Sequence, residues 1–449
     1  MIKKQSFIEV SDFYNNEFVD YASYSTIRMI GSAIDGMKNV HRKIIKTTLD
    51  KNVTTRKKLT QYGSMVAEYT EYLHGNLEGS IVTMAQDFPG TNNLPLMAAD
   101  GIFGTRFINE ASAGRYIYSH GMPILFDIIK KEDEDILAKQ YFEGNEIEPK
   151  FYLPSLPMLL INGSTGVATG FKQKVLPRDP KEITKYLKAR LSGKITKKKF
   201  TNVPYFKGFN GYVTAGEKDG QWKICGTFTR TNSTTVEITE IPVGIELQTY
   251  IKILDKLKES NKIISYKDMS NKNIFKFTVK FSRANLAKLD DDQLLDALKL
   301  IKTETETYTA VDENLNVRTF KSVHEIIEYY IEVKLKYLKK RKDSLIEKYT
   351  KEIALDSSKH LFIKMIVTDK LIINKRKTES IIKDLDKVDK IIKRDDSYNY
   401  LLNMSIQSLT KEYMDKLSSL VKTKKEKLKE IKASELENLW LEDISNIKL

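Results

Sequence analysis

The sequence predicts a multidomain protein of mixed α/β class whose last part is a long antiparallel coiled coil with a small helical apex. Three observations carry this. The 449 residues make about three domains at roughly 150 residues each. Hydrophobic residues form 41% of the chain and aromatic residues 10%, enough to fill real cores and to exclude wholesale disorder. The local texture also changes twice, near residue 150 and near residue 320.

Residues 1–150 read as compact α structure broken by glycine turns at Asp35-Gly36, His74-Gly75 and Asp100-Gly101. Helical patterns over Lys58 to Thr70 and Leu77 to Ala85 flank the second break, as in a helix-turn-helix or any other helical hairpin. Residues 151–320 are punctuated by Pro154, Pro157, Pro177, Pro204 and Pro242 and hold short β-rich runs. Gly211 to Thr214 and Trp222 to Phe228 predict a hairpin closed at Asp219-Gly220. Alternation predicts a strand from Thr235 to Pro242, and Leu247 to Leu257 an amphipathic helix. From 321 to 435 Gly and Pro vanish and Lys, Glu, Leu and Ile dominate. Ile331, Leu335, Leu338, Leu345 and Tyr349 keep near-heptad spacing, as do Ile406, Leu409, Tyr413, Leu420 and Leu428. Two long helices that return on each other, with an apex at about 355–405, satisfy both stripes; a solvated Lys-rich bundle is the plainer alternative. Residues 436–449 remain as a tail.

Lys plus Arg number 74 against 60 Asp plus Glu, a net charge of +14 that favours a polyanion, nucleic acid before a membrane surface. No apolar run of about 18 residues is present, and the opening MIKKQSFIEV lacks an apolar signal core, so a soluble cytoplasmic protein with no membrane partner is expected. The single Cys225 excludes an internal disulfide framework and a multi-Cys zinc site. The Gly-rich run Asn162 to Gly170 lacks the lysine of a nucleotide-binding P-loop. Asp290, Asp291 and Asp292 precede an amphipathic stretch, Leu294 to Ile301; a helix N-terminus explains them more simply than Mg²⁺ ligation.

What remains for chemistry is Arg115-Tyr116, preceded by Phe103-Gly104-Thr105. A tyrosine hydroxyl is a poor nucleophile alone, but beside a guanidinium it can attack a phosphodiester whose developing charge the arginine holds. Among 23 tyrosines, an Arg-Tyr pair is by itself more often surface packing.

Separated stretches then match one family in order. Tyr21 to Arg42, with Arg28 and then Asp35-Gly36-Met37-Lys38-Asn39-Val40-His41-Arg42, resembles the DGLKPVHRR segment of type IIA DNA topoisomerases. Tyr72-Leu73-His74-Gly75 followed by Met84-Ala85-Gln86 resembles their HG segment, and Phe103-Gly104-Thr105 with Arg115-Tyr116 their FGT and RY pair. Leu160 to Gly170 resembles the NGSSGIAVG loop, and Ile238-Thr239-Glu240-Ile241-Pro242 the TEIP strand. Asn39 stands for the common Pro and Asn76 for the common acidic residue.

The resemblance implies the breakage-reunion part of such an enzyme, with a winged-helix DNA-gate domain over 1–150, an α/β tower over 151–320, and a coiled coil with dimerisation gate over 321–435. It implies Tyr116 as nucleophile, with Arg115, Arg28 and His74 supporting the scissile phosphate. Lys38, His41, Arg42 and Lys43 are expected on backbone phosphates. Ser164, Thr165 and Val167 are expected at the DNA, Val167 standing for an Ile that wedges between base steps. Implied partners are double-stranded DNA, a second copy of the chain, and an ATPase/TOPRIM partner that hydrolyses ATP and binds Mg²⁺; no metal site is expected on this chain. The stop at Leu449, without the DNA-wrapping domain that gyrases carry after their coiled coil, implies relaxation and strand passage over supercoil introduction. A non-catalytic DNA-binding protein with the same gate fold is the alternative.

Overall fold

A computed structural model describes residues 8–75, 77–194, 200 and 203–449; Asn76 and the first seven residues of the basic start lie outside the described residues. The chain divides into two compact units, one of residues 1–133, 137–334 and 440–449, the other of 134–136 and 335–439.

The first unit begins with helices Val10–Asn15, Glu17–Met29, Asn39–Asp50, Leu59–Tyr69 and Glu78–Ala85. Helix Asn39–Asp50 buries Ile44 and Ile45, while Thr47 and Thr48 return their hydroxyls to the carbonyls one turn back, so a polar sequence still packs. The break before it needs its glycine: Gly36 has φ +69°, and a side chain there would come within 2.5 Å of the Leu159 nitrogen. Lys57–Lys58 pairs antiparallel with Tyr118–Ser119, which fastens the segment around Tyr116 beside helix Leu59–Tyr69. Leu59, Tyr62, Val66, Ile81, Ile117, Leu125 and Ile128 are all buried.

Farther along the same unit, Ser164–Ala168 and Phe171–Val175 form an antiparallel hairpin, so the Gly-rich run is a strand with its turn and not a phosphate loop. Tyr212–Ala215 and Gln221–Cys225 pair as expected around Gly220 at φ +71°. Strand Thr235–Glu240 is central in a four-stranded antiparallel sheet with Thr227–Asn232, Phe277–Lys280 and Ser265–Asp268. Helix Leu247–Glu259 lays Tyr250, Leu254 and Leu257 on the core that Val236, Ile238, Phe277 and Val279 supply. Asp290 caps the helix Asp291–Ala297 through a box with Gln293. The stretch expected to be helical from Leu294 to Ile301 is split: its helix stops at Ala297, and Ile301 opens a strand paired to Cys225.

The second unit carries the continuation of helix Val323–Val367 and the returning helix Lys411–Ala433. They run antiparallel: Lys424 pairs with Glu352 at 2.8 Å and Asp356 at 2.7 Å, and Lys342 donates to the carbonyls of Lys432 and Ser434. Phe362, Leu371, Leu385, Ile391 and Leu401 close the helical apex. Two sequence boundaries move. The outgoing helix continues to Val367 instead of ending near 355, because Phe362, Met365 and Ile366 still have an apex to pack against. The returning helix starts only after its cap Thr410, which leaves Ile406 in a 3₁₀ turn at 88% exposure and off the apolar stripe.

The stretch expected as a tail forms helix Leu436–Ser445, and its end is an anchor in the first unit: Trp440 is fully buried, 5.7 Å from the Tyr330 ring, and donates to the Ser155 carbonyl. Among the described residues no helix is long and apolar enough to cross a membrane.

Candidate active site

The segment from Ala98 to His120 folds back on itself. Asp100 and Tyr118 exchange backbone hydrogen bonds at 3.2 and 2.9 Å, and Ser112 N donates to Ile102 O. Ile117 is buried as the plug of the returning strand. Just before it, Tyr116 N donates to Ala113 O and closes a turn that leaves Arg115 exposed and Tyr116 66% exposed. The Arg115 guanidinium sits 4.9 Å from the Tyr116 ring. An accessible phenol beside a cation thus stands on a turn pinned from both sides. Tyr118, the rival nucleophile, is held differently: its ring lies 4.0 Å under Arg56, itself paired with Asp100, and its backbone is committed to the pairing with Lys58.

A second constellation forms a cleft of about 560 Å³ on the same unit, lined by Arg28, Lys38, His41 and His74 with Tyr24 and Tyr72. With Lys43, which also lines it, the structure brings five sequence-selected residues together; neither Arg115 nor Tyr116 lines the cleft. Tyr24 joins two of them, its hydroxyl 2.5 Å from His74 Nε2 and its ring 5.3 Å from the Arg28 guanidinium. Sequence reasoning missed Tyr24. Its position one helical turn before Arg28 was the available signal.

The hairpin docks beside this cleft. Buried Gln173 accepts from Gly31 N and Ser164 Oγ at 2.8 Å each and returns a hydrogen bond to Gly31 O. Gly166 lies so close to the end of helix Glu17–Met29 that any side chain would collide with the Met29 carbonyl oxygen. Val167, two residues from the turn, is 65% exposed, and Thr165 is exposed.

Two of the expected phosphate contacts, Arg42 and Lys43, are buried and taken by internal partners. Arg42 is 3% exposed and gives its guanidinium to Asp35 at 2.8 and 3.1 Å and to Met37 O. Asp35 also accepts from the Met37 and Tyr152 nitrogens, so the pair organises the turn from the inside. Lys43 is spent on Glu148 at 2.8 Å and on Thr70 O, while half-buried Ser164 donates its hydroxyl to Gln173. His41 accepts from Lys38 N, and burial, with Lys38 and Arg42 alongside, pushes its pKa down to about 3, so it is uncharged at neutral pH. Lys38 still faces the cleft while its ammonium donates to Thr165 O at 2.8 Å; burial lowers its pKa. The cleft therefore offers Arg28 and Lys38 as its facing cations.

His41 gives a pH prediction. The unfolded chain binds a proton at this ring near pH 6.5, whereas the folded ring waits until about 3, so acid favours unfolding through that window. Between pH 7 and pH 5 the urea midpoint of the natural chain should fall more than that of His41→Gln. Equal falls in the two would overturn the assignment.

Among the described residues no three His, Cys, Asp or Glu side chains are grouped to hold a metal ion.

The family profile for the A-type chain of DNA gyrase and topoisomerase IV matches residues 28–445. The mitochondrial DNA topoisomerase 2 of Dictyostelium discoideum is 30% identical over 458 residues, which cover 98% of this chain and 35% of that protein. The DNA topoisomerase medium subunit of Enterobacteria phage T4 is 28% identical over 448 residues, covering 98% of this chain and 99% of that one. The crystal structure of the Plasmodium falciparum topoisomerase II DNA-binding, cleavage and re-ligation domain superposes with a TM-score of 0.87 at 31% identity, covering 97% of this chain and 63% of that one. The chain thus spans about a third of the length of the first DNA topoisomerase 2 relatives and nearly the whole of the phage protein.

Proposed function

The chain belongs to the family formed by the A-type chains of DNA gyrase and topoisomerase IV, and from that premise we propose that it is the DNA cleavage and religation subunit of an ATP-dependent type II topoisomerase. The observation that carries the proposal is the exposed Arg115-Tyr116 turn, in a unit that also presents a cationic cleft and a projecting hairpin.

In this proposal the Tyr116 oxygen attacks a backbone phosphorus, the P–O3′ bond breaks, and the 3′ oxygen leaves with a proton while the 5′ end stays on the tyrosine. Religation is the reverse transesterification, with the bond energy conserved in the phosphotyrosyl link, so it needs no hydrolysis. Arginine keeps its proton, so Arg115 and Arg28 act on the phosphate by charge. His74, hydrogen-bonded to Tyr24, supports the same region. Lys38 holds a neighbouring phosphate, and Val167 wedges between base steps with less reach than Ile.

The first 150 residues act as a winged-helix DNA gate, residues 151–320 as a tower, and the antiparallel helices of 321–435 as a coiled coil ending in a dimerisation gate. Two copies each cut one strand, in the cytoplasm, and a TOPRIM and ATPase partner supplies Mg²⁺ and ATP hydrolysis.

The test is relaxation of a supercoiled plasmid. With partner, ATP and Mg²⁺ the chain relaxes it; without the partner it does not. Duplex binding with no relaxation under full conditions would favour a non-catalytic gate-fold protein.

A further inference from the structure

The segment that carries Tyr116 does not support itself. Between Gly104 and Ser112 it leaves the helices, reaches the α/β part of the same unit, and returns. At its neck, Gln86 Nε2 donates to Phe103 O at 2.8 Å and to Asn109 O at 3.1 Å, tying both sides of the loop to the end of helix Glu78–Ala85. At its tip, Thr105 N donates to Ile108 O, and Thr105 Oγ1 accepts from Phe107 N and Ile108 N.

This tight turn grips the end of strand Thr235–Glu240. Arg106, 5% exposed, donates to Ile241 O at 2.9 Å and to Glu240 at 3.3 Å, with its guanidinium 5.1 Å from the Phe275 ring. Phe107 packs on the same Phe275 ring at 5.1 Å. Asn109 N donates to Glu246 Oε1 at 3.1 Å, and that carboxylate is not used to cap the helix it precedes. Buried Arg106 Nε and Nη1 have no hydrogen-bond partner among the described residues, so this cation is not placed for its own solvation.

We propose that Arg106 and Glu246 are positioning residues: they clasp the nucleophile-bearing loop to the α/β part and so set where Tyr116 stands. The proposal rests on Tyr116 being the nucleophile. From Asn109 the chain runs directly through the Ser112 contact into the Tyr116 turn, so a loosened tip shifts the phenol. A misplacement of about 1 Å at a reacting group costs up to about a hundredfold in rate.

The test compares the initial rate of covalent adduct formation, duplex affinity and thermal midpoint for the natural chain, Glu246→Ala, Glu246→Gln, Arg106→Lys and Tyr116→Phe, each with the partner protein present. Glu246→Ala, which removes a partly exposed side chain and no helix cap, should lower the rate about tenfold with affinity within about twofold. Glu246→Gln keeps an acceptor oxygen and should restore the rate. Arg106→Lys loses the planar fork and should cost at least as much as Glu246→Ala. Adduct lost in Tyr116→Phe but formed at the natural rate in Glu246→Ala would overturn the clasp alone. Rate, affinity and midpoint falling together in Glu246→Ala would also overturn it, as a structural role. Adduct surviving in Tyr116→Phe removes the premise and with it the proposal.

Discussion

Tyr116→Phe should abolish the denaturant-stable 5′ adduct between this chain and cut plasmid, by a factor on the order of 10⁴ or more, since a removed nucleophile has no substitute within reach. The substitution is otherwise small. The Tyr116 side chain is 66% exposed and its hydroxyl makes no hydrogen bond among the described residues, so stability should stay within about 0.5 kcal/mol. Duplex affinity should hold as well, because the cations that face the cleft, Arg28 and Lys38, are untouched. Tyr118→Phe is the control: its ring stays beneath Arg56 and its backbone stays paired to Lys58, so its adduct should form normally. An adduct that survives in Tyr116→Phe and vanishes in Tyr118→Phe would move the nucleophile two residues on. No adduct from the natural chain, despite duplex binding, would leave the gate fold without its chemistry.

The largest effect on stability should come from Glu306→Ala, about 3–5 kcal/mol. Arg178 and Glu306 are both wholly buried in their side chains and form a two-pronged pair at 2.5 and 2.7 Å. The carboxylate also accepts from Leu176 N at 2.7 Å, Trp222 Nε1 at 2.8 Å and the Tyr308 hydroxyl at 2.8 Å. Removing it strands a buried cation and several donors at once, and the cost of an unmade buried hydrogen bond adds to that of the unpaired charge. The damage should reach the hairpin of Ser164–Ala168 and Phe171–Val175, because Leu176 follows its second strand and Lys174 pairs with Glu304. For the same reason an apolar pair at 178 and 306 should not restore the natural stability: the Trp222, Tyr308 and Leu176 donors would still be orphaned. Equilibrium unfolding in urea measures this, and a loss below about 1 kcal/mol would show that water replaces the carboxylate.

The parts legible in the sequence are those governed by neighbours along the chain. Gly220 had to close a hairpin because a tight turn needs a positive φ, and alternation marked the strand from Thr235, which stops at Glu240, short of the expected Pro242, a residue with no N–H to give the sheet. Asp290 with Gln293 declared a helix start within four residues. The Arg115-Tyr116 pair and the Gly-rich segments were recognisable only through their resemblance, taken together and in order, to one family's motifs. Where local signals conflicted, the pattern misled: apolar periodicity carried a stripe through Ile406, while Thr410 had already set the helix start four residues later.

Only the tertiary structure decided which charges face outward and which are used up within. In sequence Lys38, His41, Arg42 and Lys43 are three cations and a histidine at one helix start; in space Arg42 meets Asp35, Lys43 meets Glu148 more than a hundred positions away, and burial keeps His41 neutral well into acid. Tyr24 reaches His74, and Arg178 reaches Glu306, across separations that no periodicity spans. The physical reason is the range of the forces involved. Turn chemistry, capping and amphipathic period act over a few residues and are written in order along the chain. Desolvation and ion pairing depend on what folding brings alongside, so the same lysine is a DNA contact or an internal strut according to a carboxylate whose place in the sequence says nothing of where it will stand.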